Sequence, residues 1–419
     1  MSNKRIYLDY AASTPVDPRV LRAMEPYFGK RFGNPGSLHS FGQEAIAAVD
    51  AAREAIADAI HADFREVVFT ASATEANNLA LRGAIAAWRR NSSSHPNASD
   101  RPRIVTLAIE HESIIETVRD LEREGVEVVF LPVGKDGVVD FERVVQEVAD
   151  PRTAVISLMY VNNEVGTVEP IARIGEAVRR ARTKQGGPYP LFHTDAAQAF
   201  QFFDCDVREL GVDMMTLSAH KIYGPKGIGA LFIRGNGAVL RPGRKVDVLV
   251  QPIVTGGGQE FGVRSGTENV PLIVGFGKAT EIAVAMRARE AKRVASLRDY
   301  CIQGIKKILR GAEVNGPRVK GHSSLTALLA PHIVNMYLPG ISAEDAVMGL
   351  DIKGFAISSG SACRARALTP SHVIRALGYS EERAKSSIRI SFGRATTKAD
   401  IVRFVAAMKL FQKSRRSKI

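Results

Sequence analysis

Three cysteines, Cys205, Cys301 and Cys363, are the only thiols in 419 residues. They stand too far apart for a disulfide framework or for a Cys-x-x-Cys metal knuckle, so a reducing compartment is expected. No uninterrupted apolar run approaches the ~18 residues that a membrane-crossing helix needs. The opening stretch "MSNKRIYLDYAASTP" lacks the apolar core and small-residue cleavage site of a secretory leader. A cytoplasmic protein without membrane association is therefore expected. Internal repeats are absent, and the only low-complexity tract is the Ser run in the polar loop "NSSSHPNASDRP" (91–102).

What is present is ordinary globular material, 45% apolar and 24% charged, with length for one large domain and a smaller one. Basic residues outnumber acidic ones, 57 to 44, for a net charge of +13. The basic residues are dispersed, so they read as a solvated surface, and direct nucleic-acid binding is not expected. The densest run is "KSRRSK" at 413–418.

Apolar strand patterns alternate with helical ones. "QEAIAAVDAAREAIADAI" (43–60) has helical spacing, "EVVFTAS" (66–72) is strand-like, and "TEANNLALRGAIAAW" opens a helix near Thr74. "RIVTLAI", "VEVVFLPV", "TAVISLMYV", "PLFHTD", "DMMTLSA" and "GALFI" continue the strands, with amphipathic helices between most of them. This alternation predicts an α/β fold with a largely parallel sheet covered on both faces. Sites in such sheets lie beyond the carboxyl ends of the strands. A glycine-rich passage, "TGGGQEFGVRSGTEN" (255–269), precedes a long helical pattern at 271–309, which bridges to a smaller α+β domain. The expected division is a large domain over 16–270 and a small one made of 1–15 with 271–419.

Polar residues gather where the strands end: Thr74, then Glu110 and His111, then Asn162, Asn163 and Glu164, then Asp195 and Gln198, then Ser218, His220 and Lys221. One such residue is usually a turn or a cap. Five strand ends that agree imply a site. Lys221 sits between greasy runs in "MMTLSAHKIYGPKGIGALFI", where a buried ammonium is costly but a reactive amine is useful. A lysine with hydroxyl and imidazole neighbours, and an aspartate from the next strand, suits pyridoxal 5'-phosphate. The lysine forms the Schiff base and the carboxylate keeps the pyridinium nitrogen protonated. Hydroxyls and helix N-terminal amides hold the phosphate.

The chain resembles the cysteine desulfurases of the IscS/NifS type (group I), within the class V aminotransferases and fold-type I pyridoxal phosphate enzymes. The resemblance runs nearly end to end. It is carried by "FGNPGSLHSFG", "ASATEANNLA", "EHESI", "VNNEVGTV", "TDAAQAF", "SAHKIYGPKGIGAL", "GGGQEFGVRSGTEN", "SSGSACRARALTPSHVIRALG" and "SSIRISFGRATT". It implies a large domain with a mostly parallel seven-stranded sheet, and a small domain carrying the active-cysteine loop. It also implies that Lys221 carries the cofactor, Asp195 pairs with the ring nitrogen and Gln198 bonds the phenolic oxygen. By the same resemblance Ala73, Thr74, Ser218 and His220 hold the phosphate, and Thr267 reaches the phosphate site of a second subunit in a homodimer. His111 would stack on the ring as acid/base, Asn163 and Arg389 would hold the substrate carboxylate, and Cys363 would be the nucleophile.

The implied reaction converts L-cysteine to L-alanine, leaves a persulfide on Cys363 and passes the sulfur to an acceptor protein. Arg364 and Arg366 would favour the Cys363 thiolate. Cys205 and Cys301 read as structural, and His193 as a packed sheet residue; the role of His39 is open. No metal site is expected, although Cys363 is the residue a transient iron–sulfur cluster would use. The chain departs from the pattern in "SAHK" for the more frequent Gly-His-Lys, in a longer 234–255 segment, and in a C-terminus shorter than that of IscS. The acceptor is therefore open among iron–sulfur scaffolds, tRNA thiolation proteins and DNA phosphorothioation systems. Rival readings are a selenocysteine lyase, a small-amino-acid transaminase, and a catalytically silent basic scaffold.

Overall fold

The computed structural model describes residues 5–90, 101–236, 249–317, 329–360 and 370–416, with side chains to Gln412. The chain opens with β1 (Ile6–Tyr7), α1 (Pro18–Met24) and α2 (Ser40–Ala59). Then come β2 (Val67–Thr70), α3 (Ala73–Arg90), β3 (Arg103–Leu107), α4 (Glu112–Arg123), β4 (Glu127–Leu131), α5 (Phe141–Val148) and β5 (Thr153–Ser157). α6 (Ile171–Gln185), β6 (Leu191–Asp195), α7 (Val207–Leu210), β7 (Met214–Ser218) and β8 (Gly229–Ile233) complete the alternation.

These strands form a seven-stranded sheet in the order β2-β8-β7-β6-β5-β3-β4. The pairs β3–β4, β3–β5, β5–β6 and β6–β7 are parallel, whereas β8 runs antiparallel to both β7 and β2. The expected α/β architecture with a mostly parallel seven-stranded sheet is present. β8 reverses because the ten residues between it and β7 form a tight turn, too short for the helical crossover of a parallel return.

Successive strand residues pack on opposite faces. Phe69, Val105, Ile156, Phe192, Met215 and Phe232 meet α2 and the first half of a long helix on one side. Val68, Ile104, Val155, Leu191, Met214 and Leu231 meet α3 and α4 on the other. Burial on both faces explains why these strands read as continuous apolar runs.

The long helix is α8 (Val270–Ile308), whose 39 residues span about 58 Å. Its first half packs on α2, where Gly277 lies so close to Ala52 that a Cβ would stand 2.7 Å from the Ala52 Cα. Its second half places Val294, Leu297, Cys301 and Ile305 in a separate apolar cluster. That cluster is built on β9 (Glu313–Asn315), β10 (Ile333–Tyr337), α9 (Ala343–Asp351), β11 (Phe355–Ala356), β12 (Ser387–Ser391) and α12 (Lys398–Arg416), whereas α10 (His372–Ala376) and α11 (Glu381–Lys385), between β11 and β12, bury Val373, Ile374 and Ala384 in the cluster of the large sheet. The antiparallel sheet of the separate cluster has the order β12-β10-β9, and β11 pairs in parallel with β1. The N-terminal strand thus joins the C-terminal elements, and the residues after it cross toward the carboxyl end of β7.

Candidate active site

A cavity of about 220 Å³ opens at the carboxyl ends of the parallel strands. Ala73, Thr74, His111, Asn163, Asp195, Gln198, Ser218, His220, Lys221 and Arg389 all line it, together with Ala11, Ala12, Ser72, Ser113 and Met159. Ten residues singled out from sequence therefore converge on one space.

Lys221 lies in a single tight turn, Ala219–Lys221, directly after β7. Its Nζ donates to the carbonyls of Ala11 (2.6 Å) and Ala12 (2.9 Å), which come from the segment after β1. The turn is itself tied to that segment, because Thr14 donates from N and Oγ1 to the His220 carbonyl, at 3.0 and 2.9 Å. Burial and the nearby Lys221 and Lys226 ammonium groups push the His220 imidazole down to about 4, so at neutral pH it is uncharged. Its Nδ1 lies 3.4 Å from Ser13 Oγ.

An anion cradle adjoins this turn. Ser72 caps α3, accepting from the Glu75 amide at 3.1 Å. The first amides of this 18-residue helix and its positive dipole end line the cavity at Ala73 and Thr74. Ser218 Oγ faces the same space, buried and without a hydrogen-bond partner among the described residues. An unsatisfied buried hydroxyl costs about 1–3 kcal/mol, and a bound anion would satisfy it. Gly229 keeps the cradle open: a Cβ there would stand 2.7 Å from the Ser72 carbonyl carbon and 2.8 Å from the Ala73 nitrogen.

Asp195 ends β6, only 8% exposed. Its Oδ1 accepts from the Ala197 amide at 2.9 Å and its Oδ2 from Asn77 Nδ2 at 2.8 Å. Gln198, one turn on, donates to the Ala11 carbonyl at 2.9 Å. Its Oε1 is 3.4 Å from Nε2 of His332, a buried imidazole stacked on Phe202. His193 is wholly buried, with its ring nitrogens 2.9 Å from Ser157 Oγ and 3.1 Å from Thr216 Oγ1; burial pushes it down to about 4. It is a packed sheet residue, as the sequence suggested.

His111 caps α4, its Nδ1 accepting from the Ser113 amide at 3.1 Å. The two asparagines of "VNNE" separate in role. Asn162 is buried and structural, bonding the Ile109 carbonyl and the Glu164 and Val165 amides, while Asn163 lines the cavity. Arg389, on β12, donates from Nη1 to the Asn163 carbonyl (2.9 Å) and from Nη2 to Asp9 Oδ1 (2.8 Å). Two of its five N–H donors are thus engaged. Its Nε is buried without a hydrogen-bond partner among the described residues.

Thr267 does not join the cavity. It is exposed and lines a separate depression with Arg264, Gly266 and Glu268. Its segment is nevertheless fixed, since Arg264 Nε pairs with Glu75 Oε1 at 2.7 Å, on the first turn of α3. Cys363, Arg364 and Arg366 lie outside the described residues. The flanks of their segment are tied down: Ser371 Oγ donates to Glu164 Oε2 at 2.5 Å, His372 Nε2 lies 2.9 Å from the Glu110 carbonyl, and Ser358 exchanges backbone bonds with Arg389. Cys205 and Cys301 are buried thiols; burial pushes Cys205 up to about 12 and raises Cys301 as well. His39, whose role was open, caps α2 by accepting from the Gly42 amide at 3.3 Å.

The sequence reading passed over Asn77, Ser113 and the backbone of Ala11 and Ala12. The second of two adjacent asparagines in "EANNLA" faces away, and only the 3.6-residue phase, which turns Asn77 inward with Ala76 and Ala80, could have distinguished them. Nothing local to Ala11 signals a role, because it acts through a carbonyl.

The aminotransferase class-V family model matches residues 6–404. The chain is 44% identical over 397 residues to the cysteine desulfurase IscS of Dechloromonas aromatica, covering 94% of this chain and 89% of that protein. It is 41% identical over 400 residues to the cysteine desulfurase IscS of Rickettsia massiliae, covering 94% and 88%. Among solved structures, a NifS-like protein superimposes with a TM-score of 0.83 at 31% identity, covering 98% of this chain and 99% of that one.

Proposed function

The chain belongs to the class V aminotransferase family and is a pyridoxal phosphate-dependent cysteine desulfurase, and we propose that Lys221, Asp195 and His111 are its catalytic groups and Cys363 its sulfur acceptor. The cavity residues fit the cofactor: an amine at a strand end, a carboxylate from the next strand, and an anion cradle with an unsatisfied hydroxyl at Ser218. When bound, pyridoxal phosphate supplies the electron sink that makes the Cα proton of an amino acid labile.

The chain's own groups do the rest. Lys221 would hold the cofactor covalently, and its amine, when free, would move the Cα proton. Asp195 holds positive charge at the ring nitrogen. Ala73, Thr74, Ser218 and His220 hold the phosphate, and Gln198 orients the phenolic oxygen. Asn163 and the remaining donors of Arg389 take the substrate carboxylate, a role suited to a fork-shaped guanidinium. His111, which lines the same cavity, would lie over the ring and exchange a proton with the substrate. The Cys363 thiolate bonds to the substrate sulfur as the carbon–sulfur bond breaks. The electron pair stays with the carbon fragment, which takes up a proton and leaves as L-alanine.

The observation that carries this reading is the convergence of the 72–74, 111, 195–198 and 218–221 segments on one cavity. The exposed Thr267, on a segment fixed by Arg264 and Glu75, supports a homodimer in which Thr267 completes the partner's phosphate site. Buried free thiols at Cys205 and Cys301 support a reducing cytoplasm. Likeness to IscS proteins favours an iron–sulfur assembly protein as acceptor.

The test is turnover of holoenzyme with L-cysteine and a thiol reductant. Equimolar alanine and sulfide are expected. Release of selenium from selenocysteine with no sulfide from L-cysteine, or amino transfer to a 2-oxo acid without sulfide, would contradict the reading.

A further inference from the structure

Asn77 and Ser113 connect two functional groups on different elements, Asp195 at the end of β6 and His111 at the N-cap of α4. Asn77 is fully buried on the inner face of α3. Its Nδ2 lies 2.8 Å from Asp195 Oδ2 and 2.8 Å from Ser113 Oγ. Ser113 Oγ lies 2.9 Å from His111 Nδ1, which also accepts from the Ser113 amide at 3.1 Å.

Counting protons along this chain leaves one arrangement. The Asp195 carboxylate is an acceptor, so the Asn77 amide must turn its nitrogen toward it; the opposite flip would set oxygen against oxygen. The second proton of Nδ2 then points at Ser113 Oγ, which accepts it. The Ser113 hydroxyl proton has no acceptor on Asn77 and goes to His111 Nδ1. Nδ1 therefore receives two donors, one O–H and one N–H, and carries no proton of its own. In a neutral imidazole the proton must then sit on Nε2. Both Ser113 contacts go to Nδ1, and Glu112 Oε2 lies 3.9 Å from Nε2. The orientation leaves Asn77 Oδ1 buried without a hydrogen-bond partner among the described residues. With the amide reversed Ser113 could still donate to Oδ1, so it is the contact to the Asp195 carboxylate that fixes the orientation.

We propose that Asn77 and Ser113 are positioning residues that hold the Asp195 carboxylate and fix the His111 proton on Nε2, so that His111 meets the substrate as a proton donor. This rests on the reading of His111 as the acid/base group. Asn77 thereby ties the charge that stabilises the ring nitrogen to the proton inventory of the imidazole above the ring. Ser113 acts on the imidazole alone.

The experiment is nitrogen-15 NMR of histidine-labelled holoenzyme, with His111→Gln assigning the His111 resonances. The native protein is expected to show a protonated Nε2 and a hydrogen-bonded, unprotonated Nδ1. In Ser113→Ala the Nδ1 resonance should move toward that of a free imine-type nitrogen. Its kcat should fall about tenfold with the KM for L-cysteine nearly unchanged, since proton transfer alone is affected. Ser113→Thr should restore both. Asn77→Leu should move Nδ1 the same way and also alter the visible absorbance of the bound cofactor, which Ser113→Ala should not. A proton on Nδ1 in the native protein, or an Nδ1 resonance unmoved in both variants, would overturn the proposal. A protein that shows these resonances but makes no alanine from L-cysteine would support the proton assignment and sink the desulfurase reading instead.

Discussion

Arg53 on α2 and Glu260 in the glycine-rich segment form a buried bidentate ion pair, with side chains 4% and 2% exposed. Nη1 lies 2.6 Å from Glu260 Oε2 and Nη2 lies 2.9 Å from Oε1. The Phe69 amide donates to the same carboxylate at 2.8 Å, and the guanidinium carbon lies 4.7 Å from the Phe69 ring centre and 4.9 Å from that of Phe261. Glu260 and Phe261 are both left-handed, with φ of 47° and 59°, a conformation that non-glycine residues rarely adopt. The ion pair holds them there, seven and six residues before Thr267.

Removing one partner strands the other charge in the interior. Arg53→Met is expected to cost about 3–5 kcal/mol in denaturant unfolding. Arg53→Met combined with Glu260→Leu should cost less than Arg53→Met alone, because no buried charge is left. Equal losses in the two proteins would show that the pair contributes by shape and not by charge.

Ser218→Ala separates folding from cofactor binding. The hydroxyl is buried and unsatisfied without a ligand, so the cofactor-free variant should be as stable as the parent or more so. Affinity for pyridoxal phosphate should fall roughly ten- to hundred-fold, the worth of one hydrogen bond to a charged group. Thermal melts of the cofactor-free protein and equilibrium titration with the cofactor check the two halves. A large drop in melting temperature without cofactor would contradict the assignment.

Asp9→Asn should raise the KM for L-cysteine about tenfold with little change in kcat. Asp9 orients the Arg389 fork through Nη2, and loss of uniform substrate binding appears in KM. Steady-state alanine production measures it. A fall in kcat at unchanged KM would place Arg389 in the chemistry instead of in substrate binding.

Stability should decline on both sides of neutrality. Burial pushes the Glu169 carboxyl up from 4.5 to about 8. Its favourable contribution is full below pH 4.5, where both states hold the proton, and is lost as the pH rises through 8. Burial pushes His193 down from 6.5 to about 4, so its contribution is full above 6.5 and lost as the pH falls through 4. Glu169→Gln should flatten the alkaline limb of a melting-temperature profile and leave the acid limb in place. An unchanged alkaline limb would assign that loss to another group.

The large sheet was legible because all its strands but the half-buried edge strand β4 are buried on both faces, so they appear as apolar runs ended by polar residues. The residues brought to the cavity were legible for the same reason: Thr74, His111, Asp195 and Lys221 each follow such a run. Short pieces were not. β9, β11 and β1 span two or three residues, and pairing between β1 and β11 joins segments about 350 residues apart, which no local pattern encodes. Arg53 was equally hidden: in "DAAREAI" it looks like one more charge on an alanine-rich helix, and only its partner 207 residues away makes it a core residue. Glycine was half legible. Gly229 could be seen as part of a turn, but its need to lack a Cβ comes from the Ser72–Ala73 backbone across the sheet.

A single-turnover experiment with sulfur-35-labelled L-cysteine asks whether substrate sulfur is transferred to Cys363. Holoenzyme is mixed with the labelled substrate without reductant, alanine is quantified, and the protein is digested to locate the label. One alanine per site is expected, with equimolar label on the peptide that contains Cys363. Lys221→Ala should form neither product, and Cys363→Ser should carry no label. Label on Cys205 or Cys301, or alanine formed by Lys221→Ala, would contradict the account.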